Sequence, residues 1–474
     1  MENSRLLYLL KALSAQEMRQ LSKWVQSPFF NESADLTLLF DYLHKKHPHF
    51  SDSNSLALPY IFSTLFGNKQ PYREIKMRQL MSKLLTATEE FLAYQHWQRN
   101  DVAVKIHVAN ALHDRQLPKH YNAIYKETIA QNEAQTLRNA NYYEAQEQIA
   151  LLNHRHIETQ EKREIEPQLQ AVSDSLDKLF VLNKLKFFCK MFNYQRLSNT
   201  PLQYQYTFIE PILTFAAALP ADKSPVMAAY FHALNTIKDS ENETHFTQLK
   251  NMITHHADLF LPDELQDLFV LARNFCIRRT NMGNRYYANE LLDLYKAEIK
   301  SGSILVNKYV APATYKNIIS IALALKQDEW AAEFSEQFKP HLRPEHREEV
   351  YALNLARVMF NQQKYAPILP LLQQVHYRDT MFELAAKTLL LQTYFELQEI
   401  NVLESFLDSF SVFLQRKTSA SYRKHHQNLI KFVKKLLSLP KYDKAAHQAL
   451  WQEANQLPNI TERQWLLDKI TKRE

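Results

Sequence analysis

A basic segment near the carboxyl end of the chain has the composition of an anion-binding surface. Between residues 414 and 444 there are nine lysines and arginines and one acid, so this segment carries +8, whereas the whole chain carries +6. Its apolar residues recur at helical spacing, so the basic side chains would form one face of an amphipathic helix. The nine basic residues are Arg416, Lys417, Arg423, Lys424, Lys431, Lys434, Lys435, Lys441 and Lys444.

Two interpretations of this basic segment remain open. A basic helix face suits nucleic-acid phosphates, an anionic membrane surface or an acidic partner protein. Alternatively, it is the polar outer face of a terminal helix that caps an array of helices and keeps it soluble. A second basic face, formed by Arg73, Lys76 and Lys83, allows the same choice between a nucleic-acid contact and a solvated surface.

The nineteen histidines do not follow the spacing of known metal-binding motifs. The sequence contains neither a Glu-x-x-His pair of the di-iron type nor a His-Glu-x-x-His zinc motif. His44, His47 and His49 surround a proline, and we expect them to end a helix rather than bind a metal. Adjacent acids such as Glu348 and Glu349 would not converge on one substrate. We therefore expect no metal site, no cofactor and no catalytic residue, and a non-enzymatic protein.

The scarcity of glycine excludes several large enzyme classes. Average composition would place roughly 33 glycines in a chain of this length, but only Gly67, Gly283 and Gly302 are present. Dinucleotide-binding loops, P-loops, kinase loops and nucleophile elbows all require closely spaced glycines. Hairpins of β-rich folds depend on glycine as well. The composition thus predicts an all-α protein.

The cysteines and the apolar runs bear on the location of the protein. Cys189 and Cys276 lie far apart in helical patterns, and we expect both to be reduced and buried. The leucine-rich run at residues 6–10 is too short for a signal peptide, and no uncharged run approaches the ~18 residues of a membrane span. We expect a soluble cytoplasmic protein without a membrane span.

Apolar residues at helical spacing predict about twenty helices joined by short loops, in four regions. Residues 1–98 form an opening helical module, with a Ser14–Glu17 capping box and a long helix over 71–97. We expect Phe29 and Phe30 to fill the corner after Pro28, or else to form a partner-binding knob. Residues 99–200 form long-helix hairpins, which include a Glu-rich exposed helix at 139–166 and end in a hinge at 199–201. Helical repeats occupy 201–416, and basic capping helices occupy 417–474.

The second half of the chain has a repeat of 35 residues. Three large residues are spaced by this period, and each follows another large apolar residue by five positions; the pairs are Leu325 with Trp330, Phe360 with Tyr365, and Phe395 with Ile400. The pattern resembles the tetratricopeptide repeat, whose period is about 34. The resemblance covers about 225–416, with looser matches near 246 and 286. It implies a right-handed α-solenoid of antiparallel helix hairpins.

Two further expectations concern the loops and the first module. The repeat turns over 326–329, 361–364 and 396–399 lack the glycine that is usual in the tetratricopeptide family. We therefore expect polar turns in the right-handed α conformation, and prolines, in place of left-handed glycine caps. The first module resembles a group of uncharacterised bacterial all-helical proteins, a resemblance that implies no activity.

These observations favour a non-catalytic scaffold that binds a peptide or a partner protein on a helical-repeat surface. Each helix hairpin buries only part of its apolar face, so stacked hairpins leave a long groove. The alternative is a nucleic-acid-associated or regulatory protein that uses the basic segment at 414–444. An enzyme is the third hypothesis, and it would require a pocket in which titratable groups converge.

Overall fold

The computed structural model describes residues 1–50, 53–67, 69–158, 167–197, 203–239, 241–417, 420–440, 443–457 and 459–472. In these residues the chain forms twenty-three α-helices and no β-strand, which confirms the all-α prediction. Two compact units are present. One contains residues 1–136 and 140–179, and the other contains residues 137–139 and 180–474.

The helices follow one another with short connections. The first nine are α1 (Arg5–Ala12), α2 (Ala15–Gln26), α3 (Ala34–His44), α4 (Leu58–Phe66), α5 (Glu74–Gln98), α6 (Asp101–Asp114), α7 (Pro118–Glu133), α8 (Ala140–Glu158) and α9 (Pro167–Leu197). The next seven are α10 (Ile209–Ala218), α11 (Pro225–Lys238), α12 (Glu243–His255), α13 (Pro262–Asn281), α14 (Tyr286–Ser301), α15 (Pro312–Ala324) and α16 (Asp328–Phe338). The last seven are α17 (Arg347–Asn361), α18 (Ile368–Gln373), α19 (Thr380–Glu396), α20 (Ile400–Lys417), α21 (Ala420–Ser438), α22 (Lys444–Gln456) and α23 (Arg463–Lys472).

Side-chain caps and prolines fix several helix starts. The amide of Glu17 donates to Ser14 Oγ at 3.2 Å, and the amide of Ser14 donates to Glu17 Oε2 at 2.8 Å, which confirms the predicted capping box. Pro118 and Pro262 occupy the first turns of α7 and α13, where a missing amide hydrogen costs nothing. Helix α5 begins at Glu74 rather than at residue 71.

The first unit contains two hydrophobic clusters. One lies among α1 to α5 and includes Leu7, Phe40 and Leu84, which are fully buried. The other lies among α6, α7 and α8 around Tyr121, whose hydroxyl donates to the backbone carbonyl of Leu152 at 2.8 Å. Apolar residues at three- and four-residue spacing supply both clusters, as amphipathic helices require.

In the second unit, helices pack on their neighbours in the chain. Helix α13 packs on α14, α15 on α16, and α19 on α20. The first helices of successive hairpins also pack together, as α11 does with α13, α15 with α17, and α17 with α19. A continuous cluster of buried apolar residues runs from α17 to α23.

The turns of the repeat region correct one prediction. Lys326, Gln363 and Gln398 have φ of 59°, 60° and 59°, so these turns use the left-handed conformation without glycine. The amides of Lys326 and Gln327 donate to the carbonyls of Leu323 and Ala322, at 3.0 and 2.9 Å. The turns at 363 and 398 repeat this hydrogen-bond pattern, which is the Schellman motif. Expecting right-handed turns was wrong, because the motif satisfies the last carbonyls of each helix at the cost of one strained residue.

Gly283 has φ of 95° and occupies the equivalent position at the end of α13. The four left-handed residues at 283, 326, 363 and 398 thus mark the ends of α13, α15, α17 and α19. The residue at 283 is glycine and the other three are not. The same left-handed turn therefore recurs with different residue types.

Cys189 and Cys276 are buried and unbonded, as expected. Burial raises the pKa of both thiols far above the usual value, which leaves them protonated and unreactive. No helix in the described part of the chain has the length and apolar character needed to cross a bilayer.

Candidate functional site

The six residues of the repeat pattern lie at the corners of the helix hairpins. In each pair, the first residue lies at the end of one helix. The second residue lies near the start of the next helix, after the left-handed turn. The rings of Phe360 and Tyr365 meet edge to face, with 5.2 Å between their centroids. Trp330 stacks on Phe334 at 5.7 Å. Phe395 is buried, and Leu325, Trp330, Phe360, Tyr365 and Ile400 are half-buried.

In the predicted basic segment, four lysines are paired with acids from other helices. Lys417 lies 3.2 Å from Glu383 of α19, and Lys434 lies 2.5 Å from Asp408 of α20. Glu453 of α22 accepts from Lys435 at 2.6 Å and lies 3.8 Å from Lys431. These acids are separated from the lysines in the sequence but lie adjacent to them in space. They therefore reduce the positive charge of the segment.

The other basic residues of that segment are differently placed. Arg416, Lys424 and Lys444 are exposed, and Arg423 is half-buried. Lys441 lies outside the residues that the structure describes. Of the eight predicted residues that the structure describes, four therefore lie within 4 Å of an acid.

Two cations without an ion-paired acid in the described residues lie instead on α15 and α17. Lys316 is exposed and Arg357 is half-buried. Burial lowers the pKa of each, and the proximity of Arg357 lowers the pKa of Lys316 further. Neither side chain has a hydrogen-bonded or ion-paired partner in the described residues, although Glu462 lies close enough to Arg357 to favour its charge.

Three side-chain contacts join α9 to α13, and the paired residues follow the same order along both helices. Lys186 pairs with Glu264, Lys190 lies 2.9 Å from Asp267, and Asn274 donates to Asn193 at 2.9 Å. Near the end of α13, burial lowers the pKa of Arg278, and the charge of Arg196 on α9 lowers it further.

The described residues contain no group of three or more histidines, cysteines and acids suited to a metal ion. Two histidines meet between α11 and α12, where the Nδ1 atoms of His232 and His245 lie 2.9 Å apart. Burial lowers the pKa of His232 to about 4, and the neighbouring ring adds to this effect. Both rings are therefore neutral at pH 7.

The two phenylalanines that follow Pro28 are placed differently from each other. Phe30 stacks on Trp24, with 3.5 Å between ring centroids, and remains 41% exposed. Phe29 is 87% exposed. The ring of Phe29 instead meets the ring of Phe30 edge to face, with 4.9 Å between their centroids.

A small cavity of about 100 Å³ lies between α9, α11 and α13 in the second unit. Cys189 contributes to its wall, and the thiol points to the backbone carbonyl of Tyr230 at 3.6 Å. A protonated thiol held in this way is not an activated nucleophile.

Sequence reasoning missed Arg196, Arg278, Lys316 and Arg357. Three of them are single basic residues and Arg278 is followed directly by Arg279, and the local sequence carries no signal that distinguishes any of them from a solvated residue. Comparison with known proteins adds no further guide: no protein-family model matches the chain, and neither a curated protein nor a solved structure does.

Proposed function

We propose that the protein is a non-catalytic interaction scaffold that binds an acidic peptide or partner protein on the surface of its helical repeats. In this proposal the hairpins from α11 to α20 form a right-handed solenoid similar to tetratricopeptide repeats. The packing of the first helices on one another and the recurring left-handed turn support that arrangement.

The observation that carries the acidic character of the partner is the pair Lys316 and Arg357, neither of which has an ion-paired acid. These residues lie on the first helices of two successive hairpins, α15 and α17. Half-burial of the Arg357 charge without an ion-paired partner costs free energy, and an anionic ligand recovers that free energy on binding. An acidic segment that crosses these two helices would supply the missing carboxylates.

Fluorescence anisotropy tests this proposal with the full chain and a labelled twelve-residue peptide of alternating Glu and Ala. We expect binding at 50 mM NaCl that weakens as salt is raised. The Lys316→Gln variant should bind at least about 5-fold more weakly, which corresponds to the loss of about 1 kcal/mol in binding free energy. A peptide of alternating Lys and Ala should not bind.

The matched control is Lys434→Gln, which also removes one lysine charge but from a residue paired with Asp408. It should leave the affinity for the acidic peptide unchanged. Equal weakening by both variants, or no binding at 50 mM NaCl, contradicts the proposal. Stronger binding of a labelled single-stranded oligonucleotide than of the acidic peptide would favour the nucleic-acid alternative.

A further inference from the structure

Helix α9 carries apolar residues on two opposite faces. One face, which includes Leu182, Leu185 and Cys189, is buried in the protein. On the other face, five large apolar side chains are between 47% and 62% exposed, namely Leu169, Leu176, Phe180, Phe187 and Tyr194. Single exposed apolar residues are common on protein surfaces, but a row of them along one helix marks a surface that contacts another molecule.

The exposed face of α9 follows an 11-residue repeat. Successive positions are separated by three, four and four residues, and they form a stripe of Leu169, Val172, Leu176, Phe180, Asn183, Phe187, Met191 and Tyr194. This repeat corresponds to about 3.67 residues per turn, close to the period of an α-helix, so the stripe stays on one side of α9 over about 38 Å. A second helix could therefore pack along the whole stripe.

The exposed area of the stripe is sufficient for a small specific interface between two copies of the chain. An aromatic side chain buries about 150–250 Å² and a leucine somewhat less, so five such side chains at half exposure offer roughly 500 Å² per copy. Two copies packed stripe to stripe would bury about 1,000 Å², which is the lower limit for a specific association.

Two opposite charges flank the middle of the stripe. Asp177 is exposed, and the Lys184 ammonium lies 4.8 Å from the ring centroid of Phe188. Neither has an ion-paired partner among the residues that the structure describes. Because they are seven residues apart, they lie on the same flank of α9. The other flank carries Lys186 and Lys190, which are already paired with acids of α13.

These charges favour a second copy of the same helix in the opposite direction. When two identical helices pack antiparallel, a two-fold axis relates them and the same flank of each copy meets. Asp177 of one copy then meets Lys184 of the other, and the symmetric contact forms as well. In a parallel pair the flank with Asp177 and Lys184 would face the flank with Lys186 and Lys190, where the lysines already have acids.

We propose that α9 is the interface of a homodimer in which two copies of the helix pack antiparallel along the stripe. The two-fold axis passes near residues 180–183, and Leu176 of one copy packs near Phe187 of the other. Burial of the apolar side chains supplies the driving force, and the two pairs of Asp177 with Lys184 select the register. The inference goes beyond the proposed function, since it uses no residue of the acidic-peptide site.

Sedimentation velocity of the full chain tests the dimer at chain concentrations from about 1 to 100 μM, because an interface of minimal area gives micromolar dissociation constants. We expect a concentration-dependent shift from monomer to dimer. Phe187→Asp places a charge in the stripe and should raise the dissociation constant at least about 10-fold. Its far-UV circular dichroism should match the parent chain, since the ring is 62% exposed. The matched control Phe29→Asp changes an exposed phenylalanine outside α9 and should leave the dissociation constant unchanged.

A charge exchange shows whether both sides of the interface belong to this chain. Asp177→Lys and Lys184→Asp should each weaken the dimer by at least about 5-fold, because each brings like charges together. The double variant Asp177→Lys with Lys184→Asp restores opposite charges at both contacts and should dimerise as the parent does. Weakening by the single variants without recovery in the double variant would overturn the proposal.

Disulfide cross-linking tests the antiparallel orientation. The double variant Leu176→Cys with Phe187→Cys should form a covalent dimer under oxidising conditions, and neither single variant should do so. Within one helix these positions are about 16 Å apart, too far for a disulfide, and the native Cys189 and Cys276 are buried. Cross-linking of either single variant would overturn the antiparallel arrangement.

Three results of sedimentation would overturn the homodimer. One is a parent chain that stays monomeric up to about 100 μM, which would leave the stripe to a helix of a different protein. Another is a dimer that Phe187→Asp does not weaken. The third is equal weakening by Phe187→Asp and Phe29→Asp, which would mean that α9 is not the surface that the second copy contacts.

Discussion

The guanidinium of Arg273 on α13 donates to the carboxylate of Glu298 on α14 at 2.8 Å, with both side chains inside the protein. Arg273 is 9% exposed and Glu298 is 1% exposed. Arg273 also lies over the ring of Tyr295, 4.9 Å from its centroid. Burial raises the pKa of Glu298 to about 7, and the charge of Arg273 opposes that rise. The pair joins the two helices of one hairpin.

Removing either partner of this pair should destabilise the protein strongly. Arg273→Ala and Glu298→Ala each leave one buried group without its partner, and each should lower the free energy of unfolding by about 3–5 kcal/mol. The loss is measured by chemical denaturation of the protein, followed through a spectroscopic signal from the second unit. Asp408→Ala breaks the exposed pair with Lys434 and should change stability by no more than about 0.5 kcal/mol. Similar losses for the two pairs would show that burial does not determine how much each pair contributes to the free energy of unfolding.

The contact between His232 and His245 predicts a loss of stability in mild acid. The folded protein holds the pKa of His232 near 4, below the value of 6.5 in the unfolded chain, so the unfolded state binds more protons between these values. The denaturation midpoint should be highest above pH 6.5 and should fall as pH decreases towards 4. Burial also lowers the pKa of His245, and the nearby charge of Asp239 only partly offsets that effect.

The variant His232→Leu isolates the contribution of this contact, because leucine cannot take up a proton. Its midpoint should fall less between pH 7 and pH 5 than that of the parent chain. Replacement of the exposed His255 by Gln is the matched control and should leave the slope unchanged. Identical pH profiles for the parent and His232→Leu would mean that other groups cause the acid sensitivity.

The left-handed turns predict stabilising substitutions. Glycine adopts positive φ without the strain of a side chain, so Lys326→Gly, Gln363→Gly and Gln398→Gly should each raise the free energy of unfolding by up to about 1 kcal/mol. The measurement is the denaturation midpoint. Gln362→Gly changes the residue before the turn, where φ is −74°, and should destabilise by about 0.5–1 kcal/mol. A loss of stability in all four variants would contradict the assigned turn conformation.

The first unit offers a direct comparison of two adjacent phenylalanines. Phe30→Ala removes the ring that stacks on Trp24 and should destabilise by about 1–2 kcal/mol. Phe29→Ala removes an 87% exposed ring and should change stability by less than about 0.5 kcal/mol. The fluorescence of Trp24 should shift only in the Phe30 variant. A larger effect of Phe29→Ala would mean that its ring is covered in solution.

Much of the local structure could be predicted from short sequence patterns. The capping box at Ser14, the buried Cys189 and Cys276, and the all-α class follow from residue type and spacing within a few positions. The turns at Lys326, Gln363 and Gln398 were located correctly, but their conformation was not. Lysine and glutamine do not favour positive φ, and the reason they adopt it is the hydrogen bonding of the completed helix end.

The sequence by itself determined that this chain is helical, where many of its helices begin and end, and that it lacks the common glycine-rich phosphate loops. Only the tertiary structure decided which charges are compensated. Lys434 and Lys435 belong to the most basic segment, yet Asp408 and Glu453 pair with them. Lys316 and Arg357 are distant in the sequence, yet the charge of Arg357 lowers the pKa of Lys316 in the folded protein. Electrostatic compensation depends on distances of a few ångströms between residues that are tens of positions apart, and folding alone sets those distances.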